Sequence, residues 1–162
     1  VSLTSPKDCI RIANFFVEYL NMPAMKQPHI VRAILGTKKH SFSDVPDKAI
    51  SLINLSSILE LSKKVGVEIE PMRFRGNVNF RNNISWEEFN WVDKKIRIGG
   101  AVLNIFKRTK RCGATNVNPF SGICDINIPK ELNHFYQHID MGIYAVVLKT
   151  GLIEVGDTIE LI

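Results

Sequence analysis

Residues 95–112, KIRIGGAVLNIFKRTKRC, decide the reading of the fold. Apolar and polar side chains alternate over residues 96–98 and again over 101–106, and the pair Gly99-Gly100 stands between the two runs. Strand side chains point to opposite faces with a period of two, so such alternation predicts half-buried strands, and paired glycines supply a turn. The stretch then leaves its strand through Lys107, Arg108, Lys110 and Arg111, four cations beside the single thiol of Cys112.

Upstream, residues 74–80 and 89–92 carry the same alternation, with Asp93-Lys94 as a turn site. Before them, Ser57 and Glu60 match a capping box, Ile58, Leu59, Leu61 and Val65 supply the buried face of a helix, and Gly66 supplies its stop. An earlier amphipathic helix is predicted over residues 8–20, where Ile10, Ala13, Val17 and Leu20 share a face before Met22-Pro23. Residues 29–35 read as a strand and 36–48 as a polar connecting loop able to line a site.

Downstream, Leu132, Phe135 and Tyr136 fit one helical face after Pro129, and residues 142–149 return to strand composition. Thr150-Gly151 and Val155-Gly156-Asp157 punctuate the final strands, which run to Ile162. The expectation is an α+β, β-rich fold, a barrel-like core with a few peripheral helices, formed as a single domain over residues 1–162.

The 162 residues suffice for one substantial core, and 45% apolar with 23% charged residues is ordinary for a globular domain. No apolar run approaches the roughly 18 residues of a membrane helix, and no secretory signal opens the chain, so the expected location is cytoplasmic. Three cysteines, Cys9, Cys112 and Cys124, cannot all pair and are too sparse for a disulfide framework. The net charge of +5 and pI of 9.2 suit an anionic partner without choosing one.

Two constellations carry chemistry. Positive charge beside Cys112 favours the thiolate, the form that acts as nucleophile or metal ligand; the same residues would also read as a small buried hydrophobe beside a solvated strand edge. In an extended segment Arg73, Arg75 and Asn77 share one face while Phe74 and Val78 point to the core, and arginine's planar fork matches phosphate; a charged, solvent-facing sheet surface is the alternative. A zinc site from Cys112, Cys124, His134 and His138 is disfavoured, because eleven residues separate the two cysteines where structural zinc uses close pairs. Phe74, Phe80, Trp86 and Trp91 fall mostly on apolar strand positions with no nucleic-acid motif around them, so neither nucleic acid nor membrane is expected as a partner.

Four ordered motifs then bear a resemblance. Ile50-Ser51-Leu52-Ile53-Asn54-Leu55-Ser56-Ser57, Arg73-Phe74-Arg75-Gly76-Asn77, the run from Arg111-Cys112-Gly113 through Thr115-Asn116 to Pro119, and Gly142-Ile143-Tyr144-Ala145 with Val155-Gly156-Asp157 resemble MOSC-domain proteins. That family relates to the C-terminal part of molybdenum cofactor sulfurases and to the mitochondrial amidoxime-reducing component. The similarity covers roughly residues 40–162, with residues 1–39 matching more weakly, as the remnant of a longer N-terminal region would.

The resemblance implies a barrel-like module that binds a molybdenum cofactor, with Cys112 as molybdenum ligand and catalytic residue. It further implies that Arg75, Asn77 and Arg111 hold the phosphate-bearing pterin. The activity implied is reduction of N-hydroxylated compounds with electrons from a redox partner protein. Sulfur transfer through a Cys112 persulfide is the alternative, and a non-catalytic domain binding an anionic ligand is the third reading. Gly76 stands where relatives often carry Pro or Ala, which predicts a looser backbone at Asn77.

Overall fold

The computed structural model describes residues 2–23, 28–31, 45 and 47–162. Two compact units are distinguished, Val1–His40 and Ser41–Ile162. In the first, helix α1 (Pro6–Tyr19) begins where Ser5 Oγ accepts the Asp8 N–H and Pro6 fills a first-turn position that needs no donor. It covers most of the predicted helix. Ala13 is buried, whereas Ile10 and Leu20 of the same predicted face are exposed. Of the strand expected over residues 29–35, residues 29–31 carry no regular structure and the rest lie outside the described residues, as does most of the 36–48 loop.

The second unit is built on one sheet. Strands β1 (Ala49–Asn54), β2 (Val78–Phe80), β3 (Lys95–Ile98), β4 (Ala101–Lys110), β5 (Asp140–Lys149) and β6 (Ile159–Leu161) lie in the order β2-β1-β5-β4-β3-β6. The β1–β2 pair is parallel and the others antiparallel. The sheet curls into a half-barrel, the β-rich α+β architecture expected from the alternation.

Two apolar clusters flank it. Leu52, Leu103, Ile105, Ile143 and Ala145 project to one side, where Phe89 and Trp91 cover them. Ile53 and Met141 project to the other, packed with Ile58 and Leu61 of helix α2 (Leu55–Val65) and Leu132 of helix α3 (Ile128–Tyr136). Met141 and Ile143 are two residues apart yet serve opposite clusters. Gly142 between them takes φ 77°, and a Cβ there would meet the Leu52 carbonyl oxygen at 2.4 Å, so only glycine fits this irregularity.

Three sequence expectations are corrected. The cap of α2 is Asn54, whose Oδ1 accepts the Ser56 N–H at 3.0 Å, because β1 runs directly into the helix. Ser57 lies inside α2, donating to Glu88 Oε1 at 3.0 Å and accepting the Trp86 N–H at 2.8 Å. Glu60 accepts the Trp86 indole N–H and the Tyr136 hydroxyl, and Leu59 is half exposed rather than buried. Gly66 ends the helix in a left-handed conformation, as expected.

Residues 74–80 are not one strand. Pro71–Phe74 forms a 3-10 turn, Arg75 follows at φ 50°, and only Val78–Phe80 is extended. Pro71 favours the turn start, and at Gly76 the backbone passes so close to β1 that a Cβ would stand 2.4 Å from Ile53 Cγ1. Nor do residues 89–92 form a strand. Glu87–Trp91 is a 3-10 turn entered through Trp86 at φ 66°, and the buried Glu88 carboxylate anchors it to Asn54 Nδ2 at 2.9 Å and to Ser57.

Candidate functional site

The site begins with a fault in the sheet. β4 and β5 keep register from Leu103 to Ile105; β4 then carries one extra residue before Lys107, and β5 one extra residue between the partners of Arg108 and Lys110. Bulges of this kind bend a strand and re-aim its side chains. Burial on β4 accordingly stops alternating: Lys107 and Arg108 are both exposed, Thr109 is buried, and Lys110 is exposed again.

Past the strand, Arg111 turns inward. Its Nε donates to the Met141 carbonyl at 2.8 Å, Nη1 to the Phe74 carbonyl at 2.9 Å and Nη2 to Met141 again, while the guanidinium carbon lies 5.4 Å from the Phe74 ring centroid. The bulge at Gly142 presents the Met141 oxygen that Arg111 takes up. One buried cation thus ties β4, β5 and the Pro71–Phe74 turn together.

Cys112, the next residue, is exposed. Its carbonyl accepts the Thr115 N–H at 3.1 Å and the Thr115 hydroxyl at 2.9 Å, and the Arg111 N–H is held by the Ile139 carbonyl at 2.9 Å. Backbone on both sides is therefore fixed while the thiol faces out.

The four residues singled out from sequence, Arg75, Asn77, Arg111 and Cys112, line one cavity of about 330 Å3. Arg73 and Lys110 line it as well, and among the described residues no carboxylate does. Asn77 is held by β1, its Oδ1 accepting the Ser51 N–H at 2.9 Å and the Ser51 hydroxyl at 3.1 Å, while its own N–H reaches the Ser51 carbonyl at 2.9 Å. Asn77 thus takes the place of a strand residue in bonding to Ser51, next to Gly76. The shared strand face expected for Arg73, Arg75 and Asn77 is absent, yet the 3-10 turn brings all three to the same hollow.

Arg73 is buried. It donates to the Asn116 carbonyl at 3.1 Å and to Asp125 Oδ2 at 2.7 Å, and its Nε is buried without a hydrogen-bond partner. Hydrogen bonds from Arg73 and Asn118 hold the Asp125 carboxyl down to about 2. Ser51, Thr115 and Tyr144 complete the wall unannounced by spacing: Ser51 lies 26 residues from its partner Asn77, a distance no local pattern reaches.

A second cavity of about 670 Å3 adjoins the first, sharing Lys110, Cys112 and Tyr144 and adding Lys107, Arg108 and Asp140. Cys112 stands where the two meet.

His134 and His138 stand at the end of α3. His134 is exposed on α3 against Phe135, while His138 follows the end of α3 and packs among Trp86, Phe89 and Tyr136. Its Nδ1 accepts the Asp140 N–H at 3.1 Å, and burial lowers its pKa. Cys124 is exposed, opposite Val117 in a short bridge. Among the described residues no group of three or more His, Cys, Asp or Glu side chains could hold a metal ion, and no helix is long and apolar enough to cross a membrane.

Comparison with known proteins gives concordant matches. The profile of the MOSC domain matches residues 37–160. The mitochondrial amidoxime reducing component 2 of Rattus norvegicus is 26% identical over 178 aligned positions, covering 94% of this chain and 52% of the relative. That of Bos taurus is 25% identical over 122 positions, covering 68% and 36%. The chain thus spans about half, or less, of the length of these curated relatives. Two crystal structures share the fold: YiiM from Geobacillus stearothermophilus, with TM-score 0.54 and 16% identity over 70% of this chain and 53% of that one, and the YuaD protein from Bacillus subtilis, with TM-score 0.52 and 24% identity over 69% and 62%.

Proposed function

The chain belongs to the MOSC domain family, and from that membership we propose that it binds a molybdenum cofactor in the 330 Å3 cavity, with Cys112 as the metal's protein ligand. The observation that carries this reading is the donor set. Among the described residues one exposed thiol, four cations and an asparagine line the hollow and no carboxylate does, and a sulfur-ligated metal on a phosphate-bearing organic anion matches both halves of that set.

The roles divide by what each side chain is already bonded to. Cys112 supplies the soft ligand on a fixed backbone. Arg75, exposed at the cavity wall, is available to fork onto a phosphate, and Lys110 adds a point charge. Arg111 contributes positive potential from a buried position while its donors hold Met141 and Phe74 in place. Asn77 keeps its amide oxygen on Ser51, which leaves its amide N–H2 as the group to meet the cofactor.

The reaction proposed is reductive removal of oxygen from an N-hydroxylated compound. The N–O bond breaks, two electrons and two protons are taken up, and the oxygen leaves as water. The bound cofactor supplies the two-electron chemistry, and a redox partner protein supplies the electrons. A reducing compartment such as the cytoplasm keeps Cys9, Cys112 and Cys124 as thiols.

The test is turnover of benzamidoxime by molybdenum-loaded protein with a chemical reductant. Benzamidine is the expected product, and its absence from protein that holds molybdenum contradicts the proposed activity. The exposure of Cys112 also supports a second reading, a persulfide carrier. Intact mass after incubation with a sulfur donor separates the two, since a carrier gains one sulfur at Cys112.

A further inference from the structure

The cavity on the other side of Cys112 has a use of its own. Among the described residues it is walled by Lys107, Arg108 and Lys110 against one carboxylate, Asp140. In a regular strand Lys107 and Arg108 would point to opposite faces. Between the two irregularities Lys107 and Arg108 keep regular register with Tyr144 and Ile143, yet both long side chains reach this wall with Lys110, three cations from four consecutive residues.

Their positions are supported by contacts. Arg108 Nη1 lies 4.0 Å from Asp140 Oδ2, and its guanidinium carbon is 4.3 Å from the Phe89 ring centroid. Lys107 Nζ stands 5.7 Å from the Phe106 centroid and 5.5 Å from that of Tyr144, the aromatic that both cavities share. With Asp140 offsetting one charge, the described residues of the wall remain net positive. Guanidinium and ammonium groups so gathered fit an oxyanion.

We infer that this second cavity is a substrate-side anion site: it takes a compound bearing a carboxylate or phosphate at one end, with the reacting group directed to the Cys112 junction. The assignment of substrate rests on the cofactor reading of the first cavity; the assignment of an anion site does not. It makes this chain selective for anionic N-hydroxylated compounds over neutral ones of the same shape.

The experiment uses the full chain without cofactor and reads Cys112 alkylation by iodoacetate against iodoacetamide, with peptide mapping to separate Cys112 from Cys9 and Cys124. The ratio of the two rates cancels changes in thiol reactivity and reports attraction of the anionic reagent alone. Lys107→Gln with Arg108→Gln lowers that ratio roughly tenfold, whereas Arg108→Lys, which keeps the charge, retains it. Arg75→Gln, on the first cavity, changes it less than the double variant does.

An unchanged ratio in the double variant overturns the inference, as does a ratio governed by Arg75. Protection of Cys112 by acetate or by inorganic phosphate identifies which oxyanion is held, and protection by neither overturns the site. In molybdenum-loaded protein, KM for a carboxylated benzamidoxime rises in the double variant by roughly tenfold more than KM for the neutral compound. Loaded protein that reduces neither compound refutes the proposed reaction, while the alkylation ratio still decides the anion site.

Discussion

Arg111 and Cys112 are neighbours with opposite duties, one buried and bonded to carbonyls, the other exposed at a junction of cavities. Replacing Arg111 with Met leaves the Phe74 and Met141 oxygens without their donor in a buried setting, at a cost of about 2–4 kcal/mol. A lowered urea midpoint with unchanged slope is the expected readout. Glu88 offers a second test at this scale. Burial raises its pKa above the ordinary 4.5, against the pull of hydrogen bonds from Asn54 and Ser57. A carboxyl whose folded pKa is raised loses stability as pH climbs through that value, because the native state must then ionise a buried group. Glu88→Gln, which keeps the shape, therefore gains stability relative to the parent as pH rises above the ordinary carboxyl value of 4.5; equal urea midpoint changes in both proteins would contradict the account.

At the scale of elements, the irregularities make the site. Gly142 sits at φ 77° with no room for a Cβ against the Leu52 carbonyl, so Gly142→Ala costs at least about 2 kcal/mol and releases the Met141 oxygen from Arg111. The cap of α2 is also a junction: Asn54→Ala removes both the Ser56 N–H acceptor and a donor to Glu88, for about 2 kcal/mol by thermal melting. These features mark what the sequence could disclose. The alternation over residues 95–106 specified β3, β4 and the intervening turn because register and face follow directly from period two. Residues 74–80 and 89–92 alternate equally well, yet only Val78–Phe80 is extended, and the 3-10 turns Pro71–Phe74 and Glu87–Trp91 take the rest through tertiary demands, the close approach of Gly76 to Ile53 and the buried Glu88. Arg75, Asn77, Arg111 and Cys112 were legible through their motifs and meet in one cavity. The cations of the second cavity were legible beside Cys112, but their meeting with Asp140 and Tyr144 was not, since it depends on pairing with β5.

For the molecule as a whole, charge and acid set the outer limits. His138 has its pKa lowered by burial, opposed by the charge of Asp140 and aided by that of Arg108, so the folded chain binds the proton less readily than the unfolded one. The unfolded chain takes up the proton first, so stability present above the ordinary histidine value of 6.5 is lost as pH falls below it. Trp86 packs on His138, so its fluorescence follows the transition, and His138→Phe reduces the fall in urea midpoint between pH 7 and pH 5. Asp125, held down to about 2 by Arg73, keeps its ion pair until far lower pH, where protonation releases Arg73. The central claim is that Cys112 holds molybdenum in a cationic hollow. It is tested most directly by elemental analysis of the full chain and of Cys112→Ser, each purified from cells making the cofactor. The account predicts near-stoichiometric molybdenum in the parent and its loss in the serine variant; equal molybdenum in both, or none in the parent, would contradict it.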